Sequence, residues 1–320
     1  MRFRTIASVI AGAAALTLAV SGCSSSSTPS ASSAASAAQS VASQAQSAAS
    51  SVASRASSAV SSVQSAVSGA VADSQVLANA KNGKVVIGIK YDQPGLALKN
   101  PDGTFSGFDV EVAKYVADKL GVDPADIEFK EAKSAEREGL IERGEVDYIV
   151  ATYSITDARK EKVNFAGPYF IAHQDLLVKS DNTDITGPDA MSGKILCSVT
   201  GSTSAQKVKD KYATDVALQE YGTYTECVEA LLSGAVDAVT TDDVILAGFA
   251  AQHPGELTVV GKGFSDENYG IGLKKGDAAG TAAINAAIAA MIADGSWKTA
   301  LQDTVGPSGY TIPTPPTPAS

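Results

Sequence analysis

The sequence is poor in the residues that most enzyme sites require. Among its 320 residues it has three cysteines and two histidines, His173 and His253. No Ser-His-Asp set and no metal-ligand spacing is evident. The loop "TGSTS" lacks the Gly-Lys-Ser/Thr ending of a phosphate-binding P-loop. We therefore predict a protein without enzymatic activity, metal or cofactor.

Positive charge is also scarce, since 25 Lys and Arg face 35 Asp and Glu, which gives a formal net charge of -10. An acidic chain is a poor partner for nucleic acid or for anionic lipid. We therefore expect no nucleic-acid partner. Any attraction for an anionic ligand must come from cations placed locally in a site.

The N-terminus has the features of an export signal. A basic "MRFR" precedes an apolar run that is too short and too rich in Ala for a membrane span, so we predict a signal peptide over residues 1–22. "VSGC" (Val20 to Cys23) resembles a bacterial lipobox, which implies cleavage before Cys23 and acylation of its sulfur, for which we expect palmitate. The alternative is an ordinary secretory signal with an incidental cysteine.

Low-complexity segments flank the predicted globular part. Residues 23–80 begin at Cys23 and continue mostly as Ser and Ala, a composition that buries too little apolar surface to fold, so we predict a tether. Valines at helical spacing leave open whether it forms a frayed helix. The Pro-rich tail, residues 306–320, is expected to be extended. The location predicted from these features is the outer face of the cell membrane, with a lipid anchor.

Two cysteines remain after Cys23. In an exported protein Cys197 and Cys227 form an even pair in an oxidising compartment, which predicts a disulfide between them. The alternative is two buried free thiols.

Strand and helix patterns alternate over residues 84–305. "KVVIGIK", "IEFKEA" and "AVDAVTT" have strand composition, and "FDVEVAKYVADKLG" has a helical stripe that ends at Gly121. We predict a helix over "SAEREGLIERGEV", capped by Ser134, and a long closing helical stretch over "TAAINAAIAAMIADGSWKTALQD". This alternation predicts an α/β fold with mostly parallel sheets. The alternating strands and helices form two sets along the chain, which predicts two lobes.

Ligands of parallel sheets bind beyond the carboxyl ends of the strands. Arg137 and Arg159 each follow a capping hydroxyl there, in a first helical turn where the helix dipole disfavours a cation. A planar guanidinium suits bidentate carboxylate binding, so we predict that both arginines face the cleft. The alternative is that each pairs with a surface carboxylate. Lys160 and Lys162 are predicted to lie on a solvated face.

The second half of the chain supplies complementary groups. In "TGSTS", Gly201 allows close backbone approach, and Ser202 and Thr203 open a helix whose free amides suit an anion. Asp242 follows a strand and could bind an ammonium, although it could instead cap the helix that begins near Asp243. A ligand with one carboxylate for Arg159, an ammonium for Asp242 and a second anion for Lys90 or Arg137 would be an acidic amino acid.

Four motifs occur in a fixed order along the chain: "GFDVEVAKYVADKLG", "RGEVDYIVATYSITDARKEKVNFAGPYF", "LLSGAVDAVTTDD" and "NYGIGLKKGD". With them the chain resembles bacterial extracellular solute-binding proteins of the polar amino-acid ABC transporter family. Within that family, "KYDQPG", "DITGPD", "LCSVTGST" and "TTDDVILAG" resemble segments of the actinobacterial glutamate-binding lipoproteins. The resemblance implies a type II two-lobed fold with the ligand in the interlobe cleft. It places lobe I at 84–176 and 265–305 and lobe II at 177–264.

The resemblance also implies roles for individual residues. Arg159 would clamp the ligand α-carboxylate and Asp242 would take the α-ammonium, while an aromatic residue near Tyr91 would pack over the ligand. The remaining implied contacts are Thr152, Tyr153 and Ser154 beside Arg159, Ser202 and Thr203 from the second lobe, the cations Lys90 and Arg137, and Tyr224, where some relatives have histidine.

The resulting expectation is a monomeric lipoprotein that captures glutamate by lobe closure and delivers it to an ABC permease in the membrane. Alternatives are a binder of glutamine, aspartate or another polar amino acid, an enzyme like cyclohexadienyl dehydratase, and a sensor ectodomain.

Overall fold

The computed structural model of the protein describes residues 74–318. The predicted signal peptide, the candidate lipidation site Cys23 and nearly all of the predicted tether lie outside these residues.

The last residues of the predicted tether are folded. A helix, α1 (Gln75–Lys81), begins after Ser74, whose hydroxyl oxygen accepts a hydrogen bond from the Leu77 amide. The same hydroxyl donates to Asp277 at 2.8 Å, 203 residues further along the chain. Val76 is fully buried. The boundary predicted at residue 80 is therefore wrong, because Ser and Ala composition does not register a single valine that packs into the core.

Twelve strands and eight further helices follow in the described part of the chain. The strands are β1 (Val85–Ile89), β2 (Asp92–Gln93), β3 (Ala97–Lys99), β4 (Phe105–Ser106), β5 (Ile127–Glu131), β6 (Tyr148–Ile149), β7 (Val163–Lys179), β8 (Ile195–Val199), β9 (Ala217–Tyr221), β10 (Ala238–Asp242), β11 (Leu257–Val259) and β12 (Asp266–Lys274). The helices are α2 (Phe108–Lys119), α3 (Arg137–Glu142), α4 (Asp157–Lys160), α5 (Ser204–Lys211), α6 (Tyr224–Ser233), α7 (Asp243–Gln252), α8 (Ala278–Ala293) and α9 (Ser296–Thr304).

The strands form the sheets of two lobes that share β7. The sheet of lobe I has the order β5-β1-β6-β12-β7, in which β5, β1 and β6 are parallel and β12 is antiparallel to both neighbours. The sheet of lobe II has the order β7-β10-β8-β9, in which β10, β8 and β9 are parallel. Strand β11 pairs with β7, and β2, β3 and β4 form a small separate sheet. The predicted α/β class and two-lobed architecture are confirmed.

Strand β7 is the main connection between the lobes and was not predicted from the sequence. Its first part pairs with β12 as far as His173, and from Gln174 onward it pairs with β10 and then β11. With 17 residues it extends about 55 Å at roughly 3.3 Å per residue, long enough to run through both sheets. The change of partner falls three residues before the predicted lobe boundary at residue 176.

Two predicted helices differ in the structure. Helix α3 begins at Arg137 with Glu136 at its cap position, so Ser134 does not cap it. The predicted closing helix is divided into α8 and α9, which meet at 76°. Gly295 lies between them with a positive φ of 85°, a conformation that ends a helix readily. Within residues 74–318 no single helix is long and apolar enough to cross a membrane.

The disulfide predicted in lobe II is present. It joins Cys197 of β8 to Cys227 of α6, 30 residues apart. Both residues are fully buried, and the bond ties α6 to the strand that leads into the "TGSTS" loop.

The tail is extended after a short turn over Gly306–Ser308 and is in contact with the folded body. The Tyr310 hydroxyl donates to Asp243 at 3.1 Å, at the start of α7 in lobe II. Its ring packs against Phe170 of β7 with centroids 6.5 Å apart. The tail therefore links the end of lobe I to lobe II.

Candidate functional site

A small polar cavity lies between the lobes, where the carboxyl ends of their parallel strands meet. Its lining residues are Ser134, Arg137, Thr152, Ser154 and Arg159 from lobe I, and Ser202, Thr203, Ser204, Tyr224, Thr241, Asp242 and Ile245 from lobe II. Eight of the eleven predicted ligand-binding residues are in this set. The other three, Lys90, Tyr91 and Tyr153, are not. That the eight contact a ligand remains a prediction.

Arg159 is buried on the lobe I wall of the cavity. Its two terminal nitrogens donate to the backbone oxygens of Ser154, at 2.9 Å, and of Gly201 in lobe II, at 3.1 Å. Its Nε lies 3.4 Å from Glu138, so a carboxylate does pair with it, although the Glu138 side chain is only 19% exposed and is not a surface group. Helix α4 has only four residues, and its capping hydroxyl is that of Thr156, which accepts a hydrogen bond from the Arg159 amide. The dipole of such a short helix cannot single out Arg159, so the prediction of its position was right but the reason was wrong.

Arg137 is 3% exposed, and its charge has no carboxylate partner among the described residues. Its Nε donates to the Ser134 carbonyl at 3.3 Å and its Nη1 to the Ala151 carbonyl at 3.0 Å. Burial, with the charge of Arg159 nearby, lowers its pKa to about 10. The guanidinium is therefore still cationic at neutral pH and is available to attract an anion.

Tyr153 supports both arginines rather than lining the cavity. Its fully buried ring lies 4.1 Å from the guanidinium carbon of Arg137 and 5.1 Å from that of Arg159. A ring face in this position attracts both cations. The side chain therefore holds two like charges in place from outside the cavity lining.

Lys90 and Tyr91 also lie outside the cavity. The Lys90 ammonium donates to the Ser134 hydroxyl at 2.8 Å, and Ser134 in turn lines the cavity. Burial, reinforced by Arg137, lowers the pKa of Lys90 to about 7. The Tyr91 hydroxyl donates to the Phe129 carbonyl and its ring packs on Phe105. Tyr224 is the aromatic residue that lines the cavity.

Thr152 has a strained backbone that other residues hold in place. Its φ is +44°, in the region that non-glycine residues rarely adopt. Its amide donates to Asp109 at 2.8 Å, and its hydroxyl hydrogen-bonds Gln93 at 3.2 Å. Asp109 also accepts from the Tyr169 hydroxyl, and burial raises its pKa to about 6. Asp109 lies in the motif "GFDVEVAKYVADKLG". That motif was the one sequence signal for the residues that hold the Thr152 backbone in place.

The lobe II loop lies directly against lobe I. Helix α5 begins at Ser204, later than predicted, and Thr203 occupies its cap position without a side-chain capping bond. Ser202 accepts a hydrogen bond from the Tyr224 hydroxyl at 3.3 Å. A Cβ on Gly201 would lie 2.6 Å from the backbone of Ala135, so this glycine permits contact between the lobes.

Asp242 is 4% exposed at the end of β10. It stands at the cap position of α7, but its side chain makes no capping bond. Instead it accepts a hydrogen bond from the Tyr269 hydroxyl at 2.5 Å, a partner that no sequence pattern indicated. Burial, together with the nearby charge of Glu267, raises its pKa to about 7. The carboxylate is thus costly to ionise unless a cation reaches it.

The cavity therefore has cations on its lobe I wall and a carboxylate on its lobe II wall, with hydroxyl groups between them. This arrangement complements a small zwitterion. Among the described residues no group of three His, Cys, Asp or Glu side chains could hold a metal ion.

A family model for bacterial extracellular solute-binding proteins, family 3, matches residues 85–306. The glutamate-binding protein GluB of Corynebacterium glutamicum is 53% identical over 74% of this chain and 83% of its own length. The ABC transporter glutamine-binding protein GlnH of Bacillus subtilis is 40% identical over 68% of this chain and 79% of its own length.

Among solved structures, an ancestral arginine-binding protein bound to glutamine is 34% identical, with a TM-score of 0.66 over 70% of this chain and 98% of that one. All three relatives are named as binding proteins, in agreement with the prediction of a protein that is not an enzyme. The fold, the interlobe cavity and these similarities together show that the chain belongs to the bacterial extracellular solute-binding proteins, family 3.

Proposed function

We propose that the protein is the substrate-binding lipoprotein of an ABC importer and that it captures an acidic amino acid, glutamate, by lobe closure. The observation that carries this proposal is the charge arrangement of the cavity. The groups that line the cavity include two guanidinium groups from lobe I, of Arg137 and Arg159, and one carboxylate from lobe II, of Asp242; Glu138, which pairs with Arg159, is not in the lining. A dicarboxylic amino acid has the opposite set of charges, two anionic groups and one cationic group, so each of its charges has a partner of opposite sign in the cavity.

Arg159 is the proposed anchor of the α-carboxylate. Its terminal nitrogens already donate to two neutral carbonyls, of Ser154 and Gly201. A charged carboxylate is a stronger acceptor than a carbonyl, so a ligand can replace the Gly201 contact at a net gain. Asp242 is the proposed partner of the ammonium, whose charge would offset the cost of ionising a buried carboxyl.

Arg137 is the proposed partner of the ligand side-chain carboxylate, with Lys90 acting from behind through Ser134. This arrangement favours an acid over an amide because a neutral carboxamide leaves two buried cations without an anion. The naming of GluB as a glutamate-binding protein supports the same choice.

Glutamine is the second candidate ligand. The specific observation in its favour is that Lys90 does not line the cavity and has a pKa of about 7, so its charge is only partly present at neutral pH. The names of GlnH and of the ancestral protein bound to glutamine point in the same direction.

The anchoring and the delivery step are part of the same proposal. Cys23 would carry the lipid at the outer face of the membrane, residues 24–73 would form the tether, and the closed monomer would dock on an ABC permease. Labelling of cells with a palmitate analogue tests the anchor. The wild-type protein should incorporate the label and Cys23→Ser should not, and a labelled Cys23→Ser protein would contradict it.

Titration calorimetry with glutamate, glutamine and aspartate tests the ligand assignment. We expect glutamate to bind most tightly. Arg159→Ala should weaken all three ligands by about 100-fold or more, since it removes two charged hydrogen bonds of about 1.5–3 kcal/mol each. The matched control is Lys160→Ala, the next residue, which is exposed and pairs only with Asp157.

Comparable or tighter binding of glutamine by the wild-type protein would overturn the preference for an acid. Normal binding by Arg159→Ala would overturn the clamp. Loss of binding in both Arg159→Ala and Lys160→Ala would show that the helix, and not the guanidinium, is what matters.

A further inference from the structure

Asp92 of lobe I makes a contact with lobe II that the ligand-binding proposal does not use. It lies in β2, where it pairs with Leu98 of β3. Its Oδ2 accepts hydrogen bonds from two successive backbone amides, those of Tyr224 at 2.9 Å and Thr225 at 3.4 Å. These are the first two residues of α6 in lobe II.

The first turn of α6 shows why these two amides need an external partner. A helix begins with four amides that have no partner inside the helix. Thr223 and Glu226 form a reciprocal capping box, in which the Thr223 hydroxyl accepts from the Glu226 amide and the Glu226 carboxylate accepts from the Thr223 amide. The other two amides, of Tyr224 and Thr225, are left for Asp92. Of the four amides at this helix terminus, two therefore have hydrogen-bond acceptors in lobe II itself, and the other two have their acceptor in lobe I.

Charge strengthens the contact. The N-terminus of a ten-residue helix carries partial positive charge, so a carboxylate placed on it is favoured. Hydrogen bonds from amides to a carboxylate are shorter and stronger than those to a neutral oxygen. Asp92 thus attaches to lobe II through groups whose positions the helix itself fixes.

The contact is also coupled to the cavity on both sides. On lobe I the next residue, Gln93, hydrogen-bonds the hydroxyl of Thr152, which lines the cavity. On lobe II the amide that Asp92 binds belongs to Tyr224, whose ring lines the cavity from the other wall. When the lobes separate, Asp92 and the two amides must part and become hydrated.

We propose that Asp92 is a closure latch, a positioning residue that stabilises the closed state by capping α6 across the cleft without touching the ligand. The latch rests on the proposed function only in that closure traps a ligand. Because a latch forms after the ligand has landed, its removal must speed ligand dissociation and leave association nearly unchanged.

The test compares Asp92→Ala and Asp92→Asn with the wild-type protein. The control is Asp303→Ala, which removes the same charge from an exposed position of α9 in lobe I. Dyes on cysteines introduced at exposed Lys119 in lobe I and exposed Lys211 in lobe II report the distance between the lobes. Glutamate and glutamine affinities come from calorimetry, and dissociation rates come from stopped-flow measurement of the dye signal.

We expect Asp92→Ala to weaken binding about tenfold, mainly through faster dissociation, while the melting temperature of the ligand-free protein stays unchanged. Asp92→Asn should lose less affinity than Asp92→Ala, because the Asn side-chain oxygen still accepts a hydrogen bond. It should still bind more weakly than the wild-type protein, because that oxygen has no charge. Asp303→Ala should match the wild-type protein. Unchanged affinity and dissociation in Asp92→Ala would overturn the latch. A fall in ligand-free melting temperature that accounts for the weaker binding would also overturn it, by showing a contact that persists in the open state.

If the wild-type protein binds neither glutamate nor glutamine, the proposed function fails, but the latch proposal can still be tested without a ligand. The readout is then the fraction of closed molecules in the ligand-free protein. A lower fraction in Asp92→Ala than in the wild-type protein and Asp303→Ala supports the latch, and equal fractions overturn it.

Discussion

Substitution of Asp242 by Asn should abolish ligand binding and stabilise the ligand-free protein at alkaline pH. The carboxyl is 4% exposed, and burial, followed by the charge of Glu267, raises its pKa from 3.8 to about 7. Asp243 acts in the same direction, and Lys207 and the hydrogen bond from Tyr269 act against it. Asn fits the same space, and its oxygen can still accept the hydrogen bond from Tyr269.

The magnitude follows from the pKa difference. A group whose pKa is higher in the folded state holds its proton more tightly there, so stability falls as pH rises from 3.8 through about 7. At about 1.4 kcal/mol per pKa unit, the cost is about 2 kcal/mol at pH 5.5 and about 4 kcal/mol at pH 8. Asn does not titrate, so the stability gained by the variant should be about 2 kcal/mol larger at pH 8 than at pH 5.5. For a domain of this size that corresponds to about 4–8 °C in melting temperature.

Thermal unfolding of the ligand-free wild-type protein and Asp242→Asn at both pH values measures this difference. All other titratable groups are present in both proteins, so their contributions to the pH dependence of stability cancel in the comparison. Asp303→Asn, at an exposed position, is the control and should show no such pH dependence. A melting-temperature difference that is the same at pH 5.5 and pH 8, or a variant that is less stable at pH 8, would refute the buried and costly carboxylate.

Three further outcomes are expected. Arg137→Ala should lower the affinity for glutamate, measured by calorimetry, at least about tenfold more than the affinity for glutamine, because it removes the partner of the side-chain carboxylate. Equal losses for both ligands would contradict that role. Glutamate affinity measured from pH 5.5 to 9 should pass through a maximum near pH 7, rising as Asp242 loses its proton and falling as Lys90 loses its own, whereas glutamine affinity should only rise. Identical profiles would contradict a side-chain role for Lys90. Gly248→Ala should weaken ligand binding but keep or raise the ligand-free melting temperature, because a Cβ there would lie 2.4 Å from the Pro94 carbonyl of lobe I while Ala favours the helix by up to about 1 kcal/mol. Unchanged affinity would contradict a closure contact at this glycine.

The general position of the site could be predicted because it depends on the sheet topology. Strand composition located the carboxyl ends of β6, β8 and β10, and the polar residues that follow them, including Ser154, Ser202 and Asp242, meet in one cavity. The family resemblance assigned roles to the same positions. Local pattern and topology were sufficient for these residues because each lies at the end of its strand or within five residues of it.

The hydrogen-bond partners inside the site could not be predicted in the same way. Asp242 receives its hydrogen bond from Tyr269, 27 residues away, and the Thr152 amide donates to Asp109, 43 residues away. Such pairs leave no periodic trace in the sequence. Tyr153 illustrates the same limit, since alternation along a strand does not show whether a ring faces the ligand or lies beneath two arginines.

The interlobe contacts share one property that bears on how closure is specified. Arg159 and Asp92, of opposite charge and both in lobe I, each bind backbone groups of lobe II, the Gly201 carbonyl and the start of α6. Backbone groups have positions set by the secondary structure of their own lobe, so these contacts define one closed geometry rather than a range of them. Gly201 and Gly248 complete the interface, because each meets the lobe I backbone where a Cβ would not fit. Gly248 lies in the middle of α7, where glycine has a poor helix propensity, so the close approach to Pro94 is the structural reason for it there. The distance between the two backbones at closure is therefore set by these glycines, and the charged side chains of Arg159 and Asp92 stabilise it.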